Sequence, residues 1–398
     1  MHVEQMDETI RRYGTPTYLF DTDIAAATVQ AFRQALDGQA DLCYAMKANP
    51  FLVQTMTAWV DRIEVCSMGE FYICQEAGIP PEKLLISGVR KDKEALWEVL
   101  DLYGGKCGYT VESLKQYAYL KEWSNRHAQK LSIYLRLSSG NQFGMDEDTV
   151  AEILEMECNS SYLQVMGIHY FSGTQKKSRK KILEELQRLD ALLCDLEQRT
   201  GSEVPVLEYG PGLTVPYFED QVDERWDTLK AMAQTMETMQ WKGRVVLEMG
   251  RALVADAGYY LTRVKDTKCT DGTNYCIVDG GMHQMHYDGQ ICGIYRPHFR
   301  IRPQSDRGIL RKWTVCGSLC TGNDILMRDV ELDDLALENV FVFERTGAYA
   351  VTEGMALFLS HELPGVVLYS QKDGWTLMRS QQQTYEWNMK RSIPVIQK

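Results

Sequence analysis

The chain has 398 residues, 44% of them hydrophobic, and a formal net charge of −12. That length suits two domains with a large core, and the acidic balance argues against a nucleic-acid or anionic-membrane surface while leaving room for a local basic pocket that takes a small phosphate. No apolar leader opens the sequence MHVEQMDETIRRYG and no run of roughly 18 apolar residues follows, so a soluble, cytoplasmic protein is expected, and eleven cysteines without a CxxC pair make zinc and disulfides poor expectations.

In chain order, TYLFD near residue 18 is the first strand-like run. From about residue 40 to 250, eight short β-branched and aromatic runs alternate with longer amphipathic segments: LCYAMK (42 to 47), IEVCS (63 to 67), LLISG (84 to 88), CGYTV (107 to 111), SIYLRL (132 to 137), VMGIHYF (165 to 171), PVLEY (205 to 209) and VVLEM (245 to 249). Eight βα units predict a closed (β/α)8 barrel of the TIM type rather than an open doubly wound sheet. After about residue 260 the runs TNYCIVDGG, WTVCGSL, VFVFERTG and GVVLYSQ follow with little helical periodicity between them. The predicted architecture is α/β: a barrel over 25–262 and a mainly β sandwich or barrel domain from 1–24 and 263–398, joined by the N-terminal strand.

Chemistry in such barrels gathers at the C-terminal ends of the strands. There the sequence places Lys47 at the end of the first barrel strand, EYGPGLTVPY with Gly210 and Gly212 after the seventh, and LEMGRALVADAG with Glu248, Gly250 and Arg251 after the eighth. Each alone has a bland reading: a strand-end lysine snorkels, a GxG is a turn, and an isolated acid or arginine is solvated. Together they describe a site for a phosphorylated aldehyde, and pyridoxal 5′-phosphate fits: a lysine for the imine, glycine amides and Arg251 for the phosphate, Glu248 for the ring nitrogen.

The ordered segments YAMKANP, VCSMGE, RLSSGNQFG, GIHYFSGTQ, EYGPGL, EMGR, VDGGM, CGSLCTGND and GAY resemble the fold-type III pyridoxal-phosphate-dependent decarboxylases, the family of diaminopimelate, ornithine and arginine decarboxylases, over nearly the whole chain. The resemblance implies Lys47 as the Schiff-base lysine, Arg136 near the phenolic edge of the ring, and Gly210, Gly212, Gly250, Arg251 and Tyr349 around the phosphate. It also implies His169 and Phe171 beside the ring, Glu248 on its nitrogen, Cys320 as the proton donor to Cα, and Asp324 on the substrate. A homodimer with shared active sites follows from the same resemblance, with a small amino-acid substrate and a carrier protein as a further candidate partner; no metal is implied.

Departures from the family pattern bear on specificity. Phe171 stands where the family has its stacking histidine, Pro211 removes one amide from the glycine loop, Met249 replaces a proline, and Glu64 replaces an aspartate. After VDGGM, the Arg-Pro-x-Leu-Tyr segment of diaminopimelate decarboxylases is replaced by HQMHYDGQICGIYRP, in which His286, Tyr287 and Gln290 are the candidate substrate contacts, each readable equally as part of a polar loop. The expected activity is decarboxylation of an α-amino acid with a polar or charged side chain, either free (diaminopimelate, ornithine or lysine-like) or conjugated or carrier-bound. The alternatives are an amino-acid racemase or epimerase, and a cofactor-carrying protein without turnover.

Overall fold

A computed structural model describes residues 1–287, 293–304 and 308–390. The chain divides into two compact units, one of residues 26–215 and 223–253, the other of 1–25, 216–222 and 254–398.

After β1 (Thr17–Asp21), eight strands close on themselves: β2 (Ala40–Ala45), β3 (Arg62–Val65), β4 (Leu84–Ile86), β5 (Gly108–Val111), β6 (Leu131–Leu137), β7 (Leu163–Phe171), β8 (Val206–Gly210) and β9 (Arg244–Met249). Every neighbouring pair is parallel, and β9 returns to β2 with Glu248 level with Cys43. Strands covered on both faces read as continuous apolar runs, and all eight runs in the sequence become barrel strands. The first starts and ends two residues earlier than the apolar run suggested: β2 stops at Ala45, and Met46–Ala48 form a single 3-10 turn. Asn49 makes the stop local, since its side chain accepts from Phe51 N at 3.1 Å and its carbonyl accepts from the buried Tyr44 hydroxyl at 2.8 Å.

The helices outside the barrel are amphipathic in the ordinary way. Arg179–Thr200 buries Ile182, Leu186, Leu189, Leu193 and Leu196 at spacings of three and four, starts on Ser178, whose hydroxyl accepts from Lys181 N, and ends at Gly201, whose φ of 66° suits glycine. Inside the barrel the pattern is unusual. Alternate side chains face inward, and among them are Arg62, Glu64, Tyr134, Arg136, His169, Glu208 and Glu248, with Arg62 donating to Glu208 and, at 2.8 Å, to the Tyr134 hydroxyl.

The other unit is a nine-stranded sheet. Its main path runs β14 (Ile325–Asp333), β13 (Leu310–Cys316), β11 (Thr273–Val278), β10 (Gly258–Thr270), β1, β16 (Gly365–Ser370), β17 (Gly374–Arg379), and β12 (Phe299–Arg302) and β15 (Val340–Glu344) pair off it. TYLFD does join this sheet, antiparallel to β10 and parallel to β16. The thirteen-residue β10 carries no clean alternation in sequence, because its first half is buried and its second half exposed. Met6, Leu19, Leu261, Val342 and Val367 form the core of this unit. Among the described residues, no helix is long and apolar enough to cross a membrane.

Leu193 is fully buried on the helix Arg179–Thr200. Leu193→Ala is expected to lower the unfolding free energy by about 2–5 kcal/mol in urea titrations, whereas Lys180→Ala, on the exposed face, should stay within about 0.5 kcal/mol of the parent.

Candidate active site

The inward carboxylates of β3 and β9 converge on one amine. Lys47, carried by the 3-10 turn after β2, places its Nζ 2.6 Å from Glu64 Oε2, 3.3 Å from Glu248 Oε1 and 3.8 Å from Cys66 Sγ. Behind Glu248, His169 Nε2 lies 2.8 Å from Oε2. Burial alone would raise the Glu248 pKa, but the Lys47 ammonium and the His169 hydrogen bond outweigh it and hold this carboxyl well below the usual range. Donor atoms of Glu64, His169 and Glu248 all lie within 4.8 Å of one another, a spacing that would also suit a cation. Here the Lys47 ammonium contacts both carboxylates.

Arg136, the penultimate residue of β6, is buried with Nη1 3.0 Å from Glu112 Oε1, and its guanidinium lies over the Phe143 ring at 4.7 Å. Next along the rim, Lys91 binds the Gly88 carbonyl at 2.8 Å and Thr110 Oγ1 and Gln116 Oε1 at 3.2 Å each. Desolvation pulls its pKa down to about 8, against the opposing pull of Glu112. Sequence reasoning singled out neither Glu112 nor Lys91; their positions just after the fourth and third barrel strands were the available clue.

The glycine loop is a close-packed cradle. Gly210 ends β8 level with Phe171 of β7, and a Cβ on it would meet the Phe171 ring at 2.5 Å. Gly212 has φ +63° and its Cβ would fall 2.0 Å from the Gly173 carbonyl, while its own carbonyl accepts from Lys176 N at 2.8 Å. Gly250 leaves no room either, since a Cβ would lie 2.7 Å from that of Ala48, next to Lys47. Arg251, buried, opens the short helix Arg251–Val254. An amine between two carboxylates, with close-packed glycines and a buried arginine at the ends of the neighbouring strands β8 and β9, is a donor set that fits pyridoxal phosphate.

The remaining expected site residues lie in the sheet unit. Cys320 is exposed, and Tyr349 is half-buried with φ +65°. Asp324 is buried, and its two carboxylate oxygens accept from Met282 N at 2.7 Å and Leu319 N at 2.8 Å, tying the segment after β11 to the segment that carries Cys320. Tyr287 is fully buried, its hydroxyl donating to the Glu344 carbonyl at 2.6 Å and its ring packed on Tyr217 and Phe218. His286 is half-buried with Nε2 unpartnered among the described residues, and burial lowers its pKa. Gln290 lies outside the described residues. Sequence reasoning passed over His283, whose ring is buried beside His361 at 5.2 Å with its pKa pulled down to about 4 by desolvation.

The family model described as "Pyridoxal-dependent decarboxylase, pyridoxal binding domain" matches residues 23–255. The chain is 26% identical to the L-glutamyl-[BtrI acyl-carrier protein] decarboxylase of Niallia circulans over 92% of each protein. It is 27% identical to the diaminopimelate decarboxylase of Aquifex aeolicus over 86% of this chain and 84% of that protein. The crystal structure of diaminopimelate decarboxylase from M. jannaschii superposes with a TM-score of 0.82 at 23% identity, covering 98% of this chain and 94% of that one, a likeness that shows the fold.

Because the native pKa of Lys91 lies below that of a lysine in the unfolded chain, the unfolded state holds the proton longer, and stability rises as pH passes from about 8 to about 10.4. Urea midpoints of the parent should climb across that window relative to Lys91→Met; a constant difference between the two would place the ammonium in water. Gly212→Ala, strained by both its φ and the Gly173 carbonyl, is expected to weaken cofactor affinity at least about tenfold, read by equilibrium dialysis.

Proposed function

The chain belongs to the pyridoxal-dependent decarboxylases, and we propose that, within that chemistry, it acts on an α-amino acid whose distal end is conjugated or carried on a partner rather than on free diaminopimelate. The observation behind this choice is that two side chains expected to hold a free charged distal group are used inside their own unit. Asp324 is occupied by two backbone amides, and Tyr287, in the segment that replaces the family's Arg-Pro-x-Leu-Tyr, donates to the Glu344 carbonyl. A distal carboxylate or ammonium would need a charged partner to leave water, and a conjugated end would not. The relative from Niallia circulans, by its name, acts on a carrier-bound glutamyl group.

Pyridoxal phosphate supplies the electron sink that accepts the pair left behind when the substrate's carboxylate departs as CO2. Lys47 is the amine that carries it, kept in reach by Glu64 and Glu248. Gly210, Gly212, Gly250, Arg251 and Tyr349 would hold its phosphate, Phe171 and His169 would lie near its ring, and Arg136, fixed by Glu112, would contact it too. Glu248, ionised by its neighbours, would keep the ring nitrogen protonated, which would favour loss of CO2 over the milder electron demand of a racemase. We further infer a cytoplasmic homodimer in which Cys320 of one copy gives a proton to Cα at the Lys47 of the other.

Incubation with a panel of free amino acids and a glutamyl-loaded carrier protein, read as CO2 release, is expected to favour the loaded carrier; turnover of free diaminopimelate at an equal or higher kcat/KM would reject the substrate reading. Lys47→Ala should abolish both the cofactor absorbance and CO2 release. Mixing Lys47→Ala with Cys320→Ala, each inactive or nearly so alone, should restore part of the activity as mixed dimers form, whereas no recovery would place both residues in the same copy's site.

A further inference from the structure

Inside the barrel, two buried polar atoms are left unused by the contacts described so far. His169 Nδ1 and Glu208 Oε1 have no hydrogen-bond partner among the described residues, although each residue's other polar atom is engaged, His169 Nε2 with Glu248 and Glu208 Oε2 with Arg62. They are not remote from each other: in the β7–β8 ladder His169 is the direct register partner of Glu208, and alternate residues of both strands face inward. We propose that one proton is held between His169 Nδ1 and Glu208 Oε1, and that Glu208, itself held by Arg62, is thereby a positioning residue that fixes the His169 Nε2–H on Glu248 and keeps Glu248 ionised toward the cofactor's ring nitrogen.

An ionised carboxylate only accepts, so the 2.8 Å contact to Glu248 requires a hydrogen on His169 Nε2. A neutral ring with that hydrogen turns a lone pair at Nδ1 toward a second carboxylate, leaving two buried acceptors unpaired at the full cost of their lost hydration. One further proton resolves both, whether it resides as imidazolium facing carboxylate or as imidazole facing carboxylic acid, and a small side-chain rotation or one bridging water closes the gap.

The surroundings set how tightly that proton is held. Burial pushes the Glu208 carboxyl up, and the Arg62 guanidinium, also bound to the Tyr134 hydroxyl, opposes it. The Cys43 thiol faces Glu208 too, and burial raises it far enough to stay S–H. On the other side of His169, its β6 register partner Arg136 is committed to Glu112. Toward the rim lie Glu248, Lys47 and Glu64. With Nε2–H fixed, Glu248 Oε2 is an occupied acceptor, and Oε1, on the Lys47 side, is the oxygen left for the ring nitrogen.

This inference rests on Glu248 as the ring-nitrogen partner, and the two fail separately: loss of cofactor in Lys47→Ala tests the site, whereas the held proton is tested by the pH dependence of the bound cofactor's absorbance in the holoenzyme. Between about pH 5 and 10 the parent should show one transition as the held proton leaves. Glu208→Gln should abolish it and weaken cofactor affinity about tenfold. Arg62→Met, which strips the buried carboxylate of its counter-charge, should move it up by about one pH unit or more. Should Glu208→Gln not fold, the double variant Arg62→Met/Glu208→Gln removes the ion pair together and carries the same expectation of a lost transition. An unchanged transition in the Glu208 variant, a downward or absent shift in Arg62→Met, or a parent band that is flat across the range each overturns the proposal.

Discussion

One ammonium between two carboxylates organises the barrel's rim. Glu64 and Glu248 cannot be buried ionised without a cation, and the half-exposed Lys47 supplies it to both. Their geometry is set by strands that are far apart in sequence and adjacent in the closed barrel, since β2 pairs with β3 on one side and β9 on the other. The short turn that carries Lys47 is pinned by Asn49 and Tyr44, so the amine is presented by rigid backbone rather than by a mobile loop.

The same logic repeats below the rim. Arg62 with Glu208 and Arg136 with Glu112 are buried pairs, and His169 bridges from the Glu208 level up to Glu248. Such pairs add little net stability compared with apolar side chains of the same size, but removing one partner strands a charge and is strongly destabilising. A barrel interior built this way gives up some packing energy for a fixed electrostatic frame, which suits a site that has to hold one carboxylate ionised in a dry environment.

In the sheet unit the economy is different. Asp324 serves the backbone, joining the segments around Met282 and Leu319, and Gly281 and Gly317 are glycine because a Cβ on either would collide with its carboxylate. The CGSLCTGND run is therefore partly architecture: its aspartate shapes the turn and leaves the exposed Cys320 thiol at the surface of its unit.

Much of this was legible in the order of residues. Short β-branched and aromatic runs alternating with amphipathic segments give the count of barrel strands, and the lysine, the glycines and the acid-arginine pair fall at strand ends where barrel chemistry gathers. Sequence could not reveal which inward side chains meet. Glu112, Lys91, Arg62 and Glu208 each read as an ordinary charged residue until barrel closure brought their partners within reach. Nor could it show that Tyr287 and Asp324 spend their polar atoms at home, because a hydrogen bond to a carbonyl 57 residues away or to an amide 42 residues away leaves no local pattern. Local periodicity determined the elements; only the register of strands distant in the chain decided which charges neutralise one another, and with that, what the site can hold.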